Sequence, residues 1–172
     1  QIAWVYFDYA DGSMNVLSSE VLDELREVLI EVRNISPAGM VITSAKSSGF
    51  IAGADVKEFK KFHEYEDAHE AITKGQEVMW LIDTMDFPTL ALINGVCLGG
   101  GLELALSCDY RIILDSTKSR IGFPEVKLGI HPGFGGSVRS IRVLGVIKAM
   151  GIMLTGRTLS AYQAKKIGLV EI

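Results

Sequence analysis

Hydrophobic positions along the chain switch between two periods, and each switch predicts a new element. WVYFD (4–8) is rich in aromatic and β-branched residues and predicts a strand. From Ser18 to Asn34, Val21, Leu22, Leu25, Val28, Leu29 and Val32 recur at helical spacing. That pattern predicts an amphipathic helix with Ser18 as its N-cap. GMVITSA (39–45) reads as a buried strand followed by a flexible KSSGF. A short helix is expected over Ala54–Phe62, with Asp55 and Glu58 near its positive end, and a longer one over Glu64–Met85, which Pro88 forbids from continuing. TLALIN (89–94) reads as a fully buried strand, after which GVCLGGG turns into a helix through LELALS.

Two further strands are expected at 109–114 and 119–122, joined by the polar DSTK, and Pro124–Leu128 opens a new element. Helices follow over Gly133–Leu144 and Val146–Leu154. Ser160 and Gln163 form a capping box for a last helix stopped by Gly168, and the closing LVEI reads as a strand. Strands alternating with helices predict an α/β domain.

Composition changes this picture in three places. A net charge of -4 argues against a surface that coats nucleic acid. The apolar stretch Thr89–Cys108 is long enough to raise a membrane span, but it holds Asn94, Glu103 and the triplet Gly99-Gly100-Gly101. An ionisable side chain and a glycine triplet at mid-span fit a buried strand, turn and helix better than lipid. Eighteen glycines, clustered, mark places where the backbone turns or is closely approached.

Several chemistries drop out by spacing. Cys97 and Cys108 form no CxxC, and His63, His69 and His131 match no metal-binding pattern, so no metal is expected. GGGLEL (99–104) follows a strand and opens a helix, yet Leu104 sits where a dinucleotide fingerprint needs glycine or alanine. GIMLTGRT (151–158) has P-loop spacing, but its interior continues an apolar helical stripe.

Glu103 stands out inside LGGGLELALSC, because a glutamate there is buried or lines a pocket. Burial lifts a carboxyl toward the working range of a general acid or base. The N–H groups of Gly99–Gly101 start the same helix and offer free donors. A strand out and a strand back could return Glu125 to Glu103. The plainer alternative makes Glu103 a paired core residue and Glu125 a solvated acid. Lys57, Lys60 and Lys61 fit ligand phosphates or a solvated helix face equally well.

Four segments resemble the crotonase superfamily in order and spacing: FIAGADVKEF (50–59), ALINGVCLGGGLELALSCDYRI (91–112), IGFPEVKLGIHPGFGG (121–136) and LTGRTLSAYQAKKIGLV (154–170). The third is most similar to the hydratase domain of multifunctional fatty-acid β-oxidation enzymes. The resemblance implies a spiral of ββα units and hydration of trans-2-enoyl-CoA. It places two oxyanion-binding N–H groups on Ala54 and Gly100, and two catalytic carboxylates on Glu103 and Glu125. Ala52, Gly53, Asp55, Lys57, Gly99 and Gly101 fall at positions that meet the coenzyme A thioester. It implies no tightly bound cofactor, with NAD confined to a dehydrogenase region downstream. Expected partners are the acyl-CoA and either further copies of the chain or a thiolase subunit, in a bacterial cytoplasm or a mitochondrial matrix. The family domain continues beyond Ile172 with helices over the acyl pocket, so residues 1–172 are expected to be one truncated domain.

Overall fold

The computed structural model describes residues 1–10 and 12–171. After an opening strand and helix, its elements repeat as strand, strand, helix from Gly39 to Leu144. β1 (Ile2–Phe7) leads to α1 (Ser19–Ile35), then come β2 (Gly39–Ser44), β3 (Gly49–Ile51) and α2 (Tyr65–Asp83). β4 (Thr89–Ile93), β5 (Val96–Leu98) and α3 (Gly100–Ser107) form the next turn, and β6 (Tyr110–Ile113), β7 (Arg120–Gly122) and α4 (Gly136–Leu144) the one after. α5 (Val146–Met153), β8 (Thr158–Leu159) and α6 (Ala161–Ile167) follow. The first strand of each turn joins one sheet, ordered β1-β2-β4-β6, and the second joins another, ordered β3-β5-β7-β8. All pairings are parallel except β7 with β8. The chain is therefore a spiral of ββα units.

Local chemistry explains the helix ends. The Ser18 hydroxyl accepts from the Val21 N–H at α1, and both halves of the Ser160–Gln163 capping box form at α6. α3 is buried along its whole length, between the two sheets and its neighbouring helices. Asn15 ties three strands together. Its amide donates to the Phe7 and Phe50 carbonyls and the Ser44 hydroxyl, while its oxygen accepts from the Tyr9 N–H.

Four expectations are corrected. The segment expected to be flexible carries β3, whose Phe50 and Ile51 are buried in the core; three residues are too few to show a period. The helix expected over Ala54–Phe62 shrinks to a 3-10 turn at Glu58–Lys61, because Leu17 holds Gly53–Asp55 extended through a parallel bridge. β6 and β7 do not pair with each other; the chain changes sheet between them. Leu169–Glu171 forms no strand and is tied to β6 through Arg111, while Ile172 lies outside the described residues. The Glu171 N–H donates to the Arg111 carbonyl, the Arg111 N–H and guanidinium donate to the Glu171 carboxylate, and the guanidinium also reaches the Leu169 carbonyl.

Candidate active site

The turn between β5 and α3 brings the first carboxylate inside. Gly99 takes φ +51, a left-handed conformation that suits glycine, and its N–H donates to the Gly122 carbonyl at 3.0 Å. One helical turn later Glu103 is 2% exposed. Its Oε1 accepts from the Gly136 N–H, at the start of α4, at 2.7 Å. Burial pushes the Glu103 carboxyl up to about 7, the Gly136 N–H holding it down in part and Glu125 adding to the rise.

Glu125 opens a 3-10 turn (Glu125–Leu128) behind Pro124 and is 8% exposed. Neither of its oxygens has a hydrogen-bond partner among the described residues. Burial raises its proton affinity too, with its own backbone N–H and His131 pulling the other way. A side chain on Gly99 would stand 3.1 Å from Glu125 Oε1, and one on Gly136 would stand 2.6 Å from Glu103 Cγ. Glycine at both places leaves room for the two carboxyl groups.

Both glutamates line a cavity of about 530 Å³ with a largely apolar wall that includes Leu22, Phe62, Ile72 and Phe134. Ala54 and Gly100 line it as well. Leu17 donates to the Gly53 carbonyl at 2.8 Å and accepts from the Asp55 N–H at 3.1 Å. In an extended chain the N–H between those two groups points the other way, so the Ala54 donor faces away from Leu17. The Gly100 N–H begins α3 and has no helical acceptor. Neither donor is engaged among the described residues. A side chain built on Gly53 would lie 3.9 Å from the Gly100 nitrogen, which puts the two segments side by side.

Ala52, Gly53, Asp55 and Gly99 also line the cavity. Two residues of the expected set do not. Lys57 is exposed outside the lining, with its backbone N–H on the Asp55 carboxylate at 3.0 Å. Gly101 is packed on β3, where any side chain would run into the Ile51 carbonyl. Lys60 and Lys61 are exposed on the 3-10 turn. Sequence reasoning missed Phe134, Gly136 and His131, although the PGFGG run that holds two of them was visible. Among the described residues no cluster of His, Cys, Asp or Glu could hold a metal, and no helix is long and apolar enough to cross a membrane.

The family model described as enoyl-CoA hydratase/isomerase matches residues 3–172. The chain belongs to the enoyl-CoA hydratase/isomerase family. It is 42% identical over 171 residues to the fatty acid oxidation complex subunit alpha of Vibrio campbellii, covering 99% of this chain and 24% of that protein. The Shewanella loihica subunit of the same name is 43% identical, with the same coverage. The chain thus spans about a quarter of the length of the curated relatives it matches. An enoyl-CoA hydratase structure from Bacillus anthracis superposes with a TM-score of 0.90 at 35% identity, covering 99% of this chain and 65% of that one. One from Geobacillus kaustophilus gives 0.93 at 29%, covering 99% and 63%. The fold is that of the crotonase superfamily.

Proposed function

We propose that the chain hydrates trans-2-enoyl-CoA thioesters to 3-hydroxyacyl-CoA in fatty-acid β-oxidation. The observation that carries this reading is the opening of two buried glutamates and two backbone N–H groups, unengaged among the described residues, on one apolar cavity. Adding water across the conjugated double bond drives negative charge onto the thioester oxygen. The Ala54 and Gly100 N–H groups would meet that charge without titrating, and each such donor is worth about 3 kcal/mol in a transition state. Glu103 would take a proton from water as the water oxygen bonds to the β-carbon. Glu125 would give a proton to the α-carbon, and a proton returned from Glu103 would reset the pair. The raised proton affinity of both carboxyls, caused chiefly by burial, supports this exchange, since it lets each group hold and release a proton closer to neutral pH.

An isomerase of the same family shifts a double bond with one carboxylate, and a non-catalytic acyl-CoA binder needs none; the second buried glutamate favours hydration. The test is an assay on the full-length protein and its Glu103→Gln variant, following loss of the conjugated thioester's ultraviolet absorbance. Double-bond migration without hydration would instead assign isomerase, and thioester binding without either reaction would assign a binding module.

The names of the fatty acid oxidation α subunits support a wider proposal. The full-length protein would couple hydration to an NAD-dependent 3-hydroxyacyl-CoA dehydrogenase region, beside a thiolase subunit, in the bacterial cytoplasm. The hydration step itself calls for no bound cofactor.

A further inference from the structure

The turn that holds Glu103 contains glycine at 133, 135 and 136, a sequence with little conformational preference of its own. Its shape is held from outside. Gln76 on α2 donates to the Gly133 carbonyl at 2.8 Å. Arg139 Nη1 donates to the Phe134 carbonyl at 3.1 Å, and its Nη2 pairs with Asp83 of α2 at 3.2 Å. Gly135, at φ +96, leaves the space that the guanidinium occupies. Gln76 and Asp83 lie two helical turns apart, on one side of α2. Gly75 beside them leaves the notch that receives the Phe134 ring.

We propose that Gln76 and Arg139 are positioning residues that hold the carbonyls of this turn outward and so aim its N–H groups at Glu103. A trans peptide points its carbonyl and its N–H to opposite sides. Fixing the Gly133 carbonyl on Gln76 therefore turns the Phe134 N–H inward. That N–H is one of the groups lowering the proton affinity of Glu103. Fixing the Phe134 carbonyl on Arg139 sets the following residues, where the Gly136 N–H meets Oε1 at 2.7 Å. The Gly135 carbonyl is taken by the first N–H groups of α4, so each carbonyl from 133 to 135 is engaged away from the carboxylate. The consequence for turnover rests on the proposed hydration; the aim of the N–H groups does not.

The charged groups acting on Glu103 are Glu125 from the 3-10 turn and Arg139 from α4. Gln76 is neutral and exposed, so its replacement changes the donor without removing a charge or a core contact. The experiment uses the full-length protein with Gln76→Leu and Arg139→Lys, which keeps the charge and loses the fork. One arm measures kcat and KM for trans-2-enoyl-CoA hydration across pH. The other follows the 13C-carboxyl titration of Glu103, assigned by its loss in Glu103→Gln. Each variant should lower kcat by about tenfold with KM within about twofold. Loosened N–H donors should raise the Glu103 titration midpoint by about half a pH unit and shift the acid limb of kcat/KM upward with it. Folded variants with unchanged titration overturn the proposal, whatever happens to stability or KM. A wild-type protein that fails to hydrate overturns the proposed function, while the carboxyl titration still decides the brace. If Arg139→Lys does not fold, Gln76→Leu decides alone.

Discussion

Glu103 and Glu125 face one cavity from two junctions of the spiral, and the junctions treat their carboxyl groups differently. At the α3–α4 junction, Glu103 is deeply buried but receives the Gly136 N–H, which favours its charged form. At the β7 junction, Glu125 is also buried, yet neither oxygen has a partner among the described residues. A buried carboxyl without donors favours the neutral acid, and one with a donor keeps ionisation within reach. That asymmetry is what a base and an acid working in succession need. It also explains why one fold can raise both groups without making them interchangeable.

The severest way to break the comparison is to remove each charge. Glu103→Gln and Glu125→Gln should each cut hydration by at least ~100-fold, read as kcat on a short trans-2-enoyl-CoA, with thioester binding kept. Near-wild-type turnover in either variant would end the assignment of roles.

A smaller and more selective change is Gly136→Ala. Its methyl would fall 2.6 Å from Glu103 Cγ, 2.9 Å from Oε1 and 3.0 Å from the buried Phe123 ring, so the flexible Glu103 side chain is the neighbour that must give. We expect kcat to fall by about 10–100-fold with KM nearly unchanged, as a small displacement of a reacting group does. An unchanged kcat in a folded Gly136→Ala enzyme would show that the pinning of Glu103 is dispensable.

That glycine marks the limit of what the residues disclose in one dimension. Glu103 was legible because a glutamate inside LGGGLELALSC has few places to go but a pocket. α1 and α6 were legible because Ser18 and Ser160 act on N–H groups three residues away. The strands of the second sheet were harder. β3, β5 and β8 have three, three and two residues, too short for a period, and their partners are distant in the chain. The roles of Gln76 and Arg139 were hidden for the same reason, since each acts on a carbonyl from outside the turn. Gly101 misled because the triplet reads as one unit, whereas its members face different neighbours: Gly99 meets Glu125, Gly100 meets Leu17 and Phe134, and Gly101 meets Ile51.

Stability against pH sharpens the comparison next. The folded Glu103 carboxyl sits near 7, above its ordinary value, so the folded state holds more protons than the unfolded state between the two. Stability from this group is full at low pH and is lost as pH rises toward the folded value. A shift of this size corresponds to at most ~3 kcal/mol. Glu103→Gln keeps an acceptor for the Gly136 N–H and cannot ionise, so denaturant melts should show it gaining on wild type between pH 4 and 8. A gain that grows toward acid would reverse the sign and refute the burial argument.

The mildest change touches Glu125 alone. His131 lowers the proton affinity of that carboxyl, so His131→Ala should raise it and carry the alkaline limb of kcat upward. The acid limb, set by Glu103, should stay in place. Movement of both limbs together would mean that the two groups titrate as one coupled unit.

Every residue of α3 is buried, including the carboxylate that the chemistry would use. Beyond the first turn, which lines the cavity, the helix has no fraying surface through which its amides can reach solvent. Deuterium should therefore enter the N–H groups of Leu104–Ser107 only when the whole domain opens, at the slowest rate in the molecule. The placement of Glu103 and global unfolding would then share one clock. Heat, denaturant or a distant destabilising substitution would then displace Glu103 no sooner than it unfolds the domain.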